Sequence, residues 1–189
     1  SRVNEARMPV PAHRAERVQP VNVAREFDVA ELFFSTTDRK GLIVSGNDVF
    51  VRVSGWTEEE LVGAPHNIIR HPDMPRVVFQ LLWDYLKAGR SIAAYVKNMA
   101  KDGGYYWVLA TVVPLSEGYL SVRMKPTSEL LGTVEALYAE LLEVERRIED
   151  AGGRPADAMV ASAERLNERL GACRASPGAT AARPAAPRA

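Results

Sequence analysis

Cysteine and histidine are scarce in this chain of 189 residues, which contains Cys173 alone and three histidines. A single cysteine cannot form an internal disulfide, and so few ligands argue against a zinc site or a thiolate metal cluster. We expect no catalytic role for Cys173. The charges also show no excess of either sign, because 24 basic side chains balance 24 acidic ones. The sequence therefore lacks the basic footprint of a general nucleic-acid-binding protein.

Long apolar runs are missing as well. No run approaches the roughly 20 residues that cross a bilayer, so the sequence predicts no direct membrane span. Residues 1–11 lack the apolar core of a signal peptide, and a cytoplasmic location is the expectation. No Ser-His-Asp set, phosphate-binding loop or pair of acids stands out, so the sequence does not predict an enzyme.

Aromatic residues are absent from both ends of the chain, and this predicts the domain boundaries. All aromatic residues and all lysines lie between Phe27 and Tyr138. The two ends are rich in arginine, proline or alanine, and such segments bury too little apolar surface to offset the entropy of ordering. The predicted segments are a disordered tail at 1–20, a folded domain at 21–126, a helical extension at 127–170 and a disordered tail at 171–189.

The sequence pattern of the folded region predicts two strands, several helices and three further strands. Asn22 is a candidate cap for an N-terminal amphipathic helix that ends near Phe33. Thr57–Glu60 forms a capping box, and Asp73, with Pro75 in the first turn, is the predicted cap of a longer helix. The last three predicted strands are Ser91–Met99, Tyr105–Pro114 and Tyr119–Lys125. This order predicts an α+β fold, an antiparallel five-stranded sheet with helices on one face.

After the last strand the apolar residues adopt a spacing of four and three, which predicts a helix with an a/d seam. The seam residues are Leu130, Val134, Leu137, Leu141, Val144 and Ile148. Gly152-Gly153 ends this helix, and the pattern repeats from Met159 to Leu170. So short a seam is not a stable coiled coil alone. Either a second copy of the chain covers it or the two helices form an internal hairpin; we expect a homodimer, because the second seam is shorter.

Several short motifs follow one another along the folded region. They are Thr36–Asp38, Asn47–Phe50, Ser54–Thr57, Glu60–Gly63, Pro65–Asn67, Arg70–Pro75, Lys97-Asn98 and Tyr106–Val108. In this order they resemble the PAS domain of bacterial aerotaxis receptors. The block from Pro65 to Pro75 is the most distinctive, because it is long and unusual in composition. The resemblance covers residues 33 to about 126 and implies a PAS fold.

That family binds FAD non-covalently and reports redox state, so the resemblance also implies a cofactor and the residues that hold it. The Arg-His-Pro-Asp block carries three of these residues, and others fall on the strands and on the long helix. The candidate cofactor-binding residues are Asn47, Arg70, His71, Asp73, Phe79, Asn98 and Trp107. Light-sensing relatives carry a cysteine in the segment that reads Asn67-Ile-Ile-Arg70 here, so covalent photochemistry is not expected.

The residues of the Arg-His-Pro-Asp block also have structural interpretations. Asp73 is explained by helix capping even where flavin binds nearby. Arg70 either forms an ion pair with Asp73 or holds a phosphate of the cofactor through its planar guanidinium. His71 is either a hydrogen-bonding loop residue or the single axial ligand of a haem.

Asn98 and Trp107 leave similar alternatives open. Strand alternation that turns Asn98 inward places its amide on an otherwise apolar face, where an unpaired amide costs about 1–3 kcal/mol. Its partner is either a core residue such as Asn47 or the polar edge of a flavin ring. Trp107 and Tyr106 either line the pocket or fill the core.

Together these features predict a cytoplasmic PAS sensory module that binds FAD. We expect it to report redox or oxygen state through its C-terminal helices to a signalling partner protein. The alternative is a cofactor-free PAS module for dimerisation or protein interaction, and a haem-binding gas sensor is a further one.

Overall fold

The computed structural model describes residues 18–175 and has five strands in one antiparallel sheet, in the order β2-β1-β5-β4-β3. The strands are β1 (Phe33–Asp38), β2 (Ile43–Gly46), β3 (Ile92–Met99), β4 (Tyr105–Pro114) and β5 (Gly118–Met124). The helices are α1 (Asp48–Ser54), α2 (Glu58–Leu61), α3 (Arg76–Lys87), α4 (Leu130–Asp150) and α5 (Pro155–Ala175). This architecture confirms the predicted fold class, including the helical extension.

The strands β1 and β5, first and last along the chain, are direct neighbours in the sheet, which brings distant parts of the chain together. In this pair Phe33 lies opposite Arg123, and Asp38 lies opposite Gly118. The strands approach so closely that a Cβ atom on Gly118 would lie 1.8 Å from the carbonyl oxygen of Thr37. Glycine is therefore required where β5 begins.

Side chains alternate between the two faces of the sheet, as expected for strands. On β4, Tyr106, Val108 and Ala110 are buried on the inner face, and they form the core with residues of α1 to α3. Trp107 alternates with them and lies on the opposite, outer face. The inner face is therefore the one that the helices preceding β3 cover.

Two helix starts carry local side-chain caps, and the one at α2 confirms the predicted capping box. Asn47 caps α1 by accepting the backbone N–H of Phe50 at 3.1 Å. Thr57 and Glu60 make both hydrogen bonds of the predicted capping box at α2. These short polar patterns specify local geometry directly, because each satisfies backbone donors that the helix itself cannot.

The predicted N-terminal helix was wrong, because no helix lies between residue 18 and β1. This segment instead follows the start of β4: Arg25 donates its backbone N–H to the carbonyl of Tyr105 at 2.8 Å, and Tyr105 donates to Val23 at 2.9 Å. Phe27 then packs edge-to-face on Phe33, with ring centroids 4.9 Å apart. Strand-like pairing and aromatic burial thus override the capping signal at Asn22.

The predicted cap of the long helix was also wrong. Pro75 occupies the cap position of α3 without a side-chain hydrogen bond. Asp73 lies outside the helix and forms an ion pair with Lys97, whose Nζ lies 3.0 Å from the carboxylate. The sequence pattern of Asp73 followed by Pro75 is typical of a helix cap. In the structure the carboxylate of Asp73 instead binds Lys97 on β3.

The C-terminal helices α4 and α5 form the internal hairpin, the second of the two predicted arrangements. Leu141 is fully buried in the core, and Leu137, Ala163 and Leu166 pack against the same core. Arg169 of α5 also donates to Glu140 of α4 at 2.9 Å. The seam is thus covered within one chain, and it does not offer the free apolar stripe from which we predicted a homodimer.

The predicted tails fall mostly outside the described residues, namely at residues 1–17 and 176–189. Where the second tail is described, it differs from the prediction, because α5 continues to Ala175. An alanine-rich segment that lacks aromatic residues can still extend an existing helix, since alanine has the highest helix propensity.

We predict that Leu141→Ala lowers the free energy of unfolding by about 2–5 kcal/mol, the usual cost of emptying a buried leucine site. Leu130→Ala, at an exposed position of the same helix, should change it by about 0.5 kcal/mol or less. Urea unfolding followed by circular dichroism measures both. The loss caused by Leu141→Ala should be equal at low and high protein concentration. A loss that depends on concentration would mean that a second chain buries Leu141.

Candidate functional site

A cavity of about 420 Å³ lies between the inner face of the sheet, α3 and the loop that precedes α3. This volume falls within the range of roughly 300–1,000 Å³ that is usual for small-molecule sites. Apolar side chains from α3 and the sheet form most of its wall. They are Ile69, Phe79, Leu82, Trp83, Leu86, Val96, Ala110 and Val112. Because the α3 residues recur at helical spacing, one face of this helix closes the cavity.

The charged side chains that line the cavity all carry the same sign. They are Lys40, Arg70 and Arg123, and no Asp or Glu of the described residues lines it. Lys40 is exposed, whereas Arg123 is only 1% exposed. A concave, largely apolar site with basic groups alone attracts an anionic or acceptor-rich ligand.

Arg123 is the most unusual residue of the cavity. One Nη donates to Ser35 Oγ at 2.6 Å, and the guanidinium lies 4.4 Å from the centre of the Phe50 ring. Its Nε is buried without a hydrogen-bond partner, and no carboxylate in residues 18–175 forms an ion pair with it. Burial lowers the pKa of Arg123 to about 10, so the side chain remains charged at neutral pH. An isolated buried charge of this kind is costly unless an acceptor meets it.

Sequence reasoning missed Arg123, because strand alternation indicates the wrong inward face for β5. Ser121 and Arg123 alternate within a segment that was predicted as a strand, so one face of that strand had to be polar. The apolar residues between them are the expected inward face of such a strand. The structure reverses this expectation, because Ser121 and Arg123 are the buried residues.

Asn98 supplies a second buried donor without a partner. Its side chain is 3% exposed and lines the cavity, and Nδ2 makes no hydrogen bond in the described part of the chain. The core partner considered from sequence, Asn47, is occupied elsewhere, because its Nδ2 donates to the carbonyl of Leu32 at 2.8 Å. The inward orientation predicted for Asn98 is confirmed, and the amide remains available to a ligand.

Arg70 and Phe79 also lie at the cavity and contact each other. The Arg70 guanidinium lies over the Phe79 ring, 4.4 Å from its centre. Nη2 of Arg70 donates to the backbone carbonyl of Met74 at 3.1 Å. The ion pair with Asp73 that the sequence allowed is not formed. Of the predicted site residues, Arg70, Phe79 and Asn98 therefore meet around one cavity.

The other four predicted site residues do not line this cavity. Asn47 caps α1, and Asp73 is held by Lys97. His71 is 4% exposed, and its Nδ1 accepts the backbone N–H of Asp73 at 3.0 Å. Trp107 lies on the outer face beside Tyr138, with ring centroids 6.2 Å apart. His71 thus acts as a hydrogen-bonding loop residue. It does not line the cavity, so it is not placed to be the axial ligand of a haem there.

His66 is a further cavity residue that sequence reasoning missed. Its ring stacks on Phe50, and Nε2 lies 3.5 Å from a guanidinium nitrogen of Arg123. Burial, assisted by the positive charge of Arg123, lowers the pKa of His66 to about 3. The imidazole is therefore neutral at physiological pH and adds no second positive charge beside Arg123.

Residues 18–175 contain neither a cluster of metal ligands nor a helix that could cross a membrane. No group of three or more His, Cys, Asp or Glu side chains in this range is placed to hold a metal ion. None of the helices in the same range combines the length and the apolar character that crossing a membrane requires.

Comparison with known proteins gives the same picture as the fold. A family model described as PAS fold matches residues 43–123. The aerotaxis receptor of Escherichia coli (strain K12) is 46% identical over 112 residues, which are 57% of this chain and 22% of the receptor. The bacterioopsin transcriptional activator of Halobacterium salinarum is 23% identical over 172 residues, 85% of this chain and 25% of that protein. The chain thus spans a quarter or less of the length of these relatives.

A solved light-oxygen-voltage domain superposes with a TM-score of 0.51 at 21% identity, over 59% of this chain and 88% of that chain. This likeness supports the fold alone. With the sheet order, the helices on the inner face and the family match, it shows that the folded region has a PAS fold. Within that fold, the chain is similar to the aerotaxis receptor of E. coli.

The lowered pKa of His66 predicts a pH dependence of stability. The folded protein holds this imidazole neutral, whereas the unfolded chain protonates it near pH 6.5. The group's contribution is therefore complete above pH 6.5 and is lost as the pH falls towards 3, by at most about 1.4 kcal/mol per pH unit. His66→Gln removes this titration. The free energy of unfolding of the wild type minus that of the variant should therefore fall between pH 7.5 and pH 5. Parallel curves in urea unfolding would contradict the assignment.

Proposed function

We propose that this chain is a PAS sensory module that binds FAD non-covalently in the cavity and reports redox state. The observation that carries the proposal is a pair of buried donors without partners, Asn98 Nδ2 and Arg123 Nε, at a largely apolar cavity. Buried donors are nearly always satisfied in folded proteins, so a ligand with acceptor atoms is the expected partner. A flavin ring combines such an acceptor edge with a flat apolar face.

Each group of cavity residues matches one part of FAD. Asn98 and Arg123 would donate to the acceptor edge of the ring, while Phe79 and Trp83 would pack against its faces. Arg70 and Lys40 add positive charge that suits the phosphates of the dinucleotide. The E. coli aerotaxis receptor, named for its response to oxygen, is a relative whose likeness agrees with a redox ligand.

Bound FAD would supply one- or two-electron redox chemistry, and the protein would set its conditions. The Arg123 charge, held in a low dielectric, stabilises negative charge added to a neighbouring group and so favours reduction. Neutral His66 beside it leaves this charge unopposed and adds no second cation. No residue in this arrangement is assigned a catalytic role.

A signal would leave the cavity along β3. Asn98 lies on this strand, and three residues earlier the carbonyl of Tyr95 accepts the hydroxyl of Tyr138 at 2.9 Å. Because Tyr138 belongs to α4, a change at Asn98 that moves β3 alters how α4 docks. The proposal includes a cytoplasmic location, homodimerisation through a surface other than the seam of α4, and a signalling partner protein that contacts the α4–α5 hairpin.

The first expected result is that the purified protein carries FAD. Acid or heat denaturation should release a flavin that chromatography identifies as FAD, and the folded protein should show flavin absorbance. Protein that is purified without cofactor and does not take up added FAD would contradict the proposal. That outcome would favour the cofactor-free interaction module, whereas a Soret band would favour haem.

The second expected result concerns Asn98→Ala. Loss of one hydrogen bond to the ligand should weaken FAD affinity by about fivefold, which corresponds to roughly 1 kcal/mol. The ligand-free variant should not lose stability, because Nδ2 has no partner to lose. Fluorescence titration measures affinity, and thermal unfolding with and without FAD measures stability.

Trp107→Phe is the matched control, because Trp107 lies on the outer face of the sheet. It should leave FAD affinity unchanged. Equal losses of stability in the ligand-free and FAD-bound forms of Asn98→Ala would instead assign Asn98 a purely structural role.

A further inference from the structure

The N-terminus of α3 is capped by a residue from α4. Glu145 is 3% exposed, and its two carboxylate oxygens accept the backbone N–H groups of Arg76 at 2.8 Å and of Val77 at 3.0 Å. These first N–H groups have no partner within a helix, and Pro75 supplies no side-chain acceptor. The cap thus comes from 69 residues further along the chain.

Side chains that line the cavity contact the same turn of α3. Arg70 donates to the carbonyl of Met74 and covers the ring of Phe79. Met74 is 1% exposed, and its sulfur accepts the backbone N–H of Lys97 on β3 at 3.3 Å. A ligand that displaces or fixes Arg70 or Phe79 therefore acts directly on the turn that Glu145 caps.

The other polar contacts between the two regions are weaker. Arg76 forms an ion pair with Glu149 at 3.1 Å, and Arg146 lies 4.0 Å from Asp73. Arg76, Arg146 and Asp73 are exposed, and Glu149 is half-buried. Solvent-exposed ion pairs contribute little to stability. The buried contact through both oxygens of Glu145 is the strongest polar link from the first turn of α3 to the hairpin.

We propose that Glu145 is a positioning residue that couples occupancy of the cavity to docking of the α4–α5 hairpin. Such coupling is reciprocal. Binding that fixes the first turn of α3 stabilises the docked hairpin, and loss of the Glu145 contact weakens binding by the same factor. The inference rests on the proposed function only for the choice of FAD as the ligand.

Glu145→Gln tests this coupling, because an amide at this position keeps the size but loses the charge and one of the two acceptors. Glu143→Gln is the matched control, since it removes the same charge from an exposed site on the same helix. Hydrogen exchange is measured by mass spectrometry with and without added FAD. In wild type and in the control, FAD should slow exchange in α4 and α5; in Glu145→Gln this slowing should be lost, and FAD affinity should fall about fivefold or more.

The coupling is overturned if FAD slows exchange in the hairpin of Glu145→Gln as strongly as in wild type. A wild type that binds no FAD would refute the proposed function, and exchange of the ligand-free proteins then decides the coupling. Glu145→Gln must in that case speed exchange in the cavity loop 66–74 as well as in α4. Faster exchange confined to residues 76 and 77 would reduce Glu145 to a local cap.

Discussion

The buried guanidinium of Arg123 is the constraint to which the rest of the domain is fitted. It can be buried only because β5 lies beside β1, where Ser35 accepts one of its N–H groups, and because Phe50 covers its face. His66 is forced to stay neutral next to it. Since no described carboxylate balances this charge, the fold concentrates unsatisfied donor capacity at a cavity instead of in a closed core. The buried, unpaired charge destabilises the ligand-free domain, and binding of an acceptor-rich ligand would offset this loss of stability.

Local polar patterns allowed much of the fold to be predicted from the sequence. The capping box at Thr57, strand alternation and helical spacing each satisfy backbone or burial requirements within a few residues, so they predict elements well. The cap of α3 and the segment around Asn22 could not be predicted in this way. Glu145 and Tyr105, which satisfy their backbone groups, lie far away in sequence, and no local pattern identifies them.

The candidate site, too, could be predicted only in part. Arg70, Phe79 and Asn98 belong to the predicted set and lie at the cavity, whereas Trp107 and His71 do not line it. A motif resemblance selects residues that matter to a domain, but it does not separate those that face a ligand from those that hold the loop. Arg123 escaped notice because a lone charged residue on a strand is usually solvent-exposed, and only the β1–β5 pairing turns it inward.

The predicted boundary at residue 126 divides the sequence, yet packing continues across it. Tyr138 bonds to β3, Leu141 fills the core, and Glu145 completes α3. Without the hairpin, α3 would have two uncapped N–H groups on the turn that also borders the cavity. An apolar seam that could have served a second chain is therefore used to finish the domain itself. The hairpin needs no separate relay to the cavity, because it already caps the first turn of α3, the helix that closes the cavity.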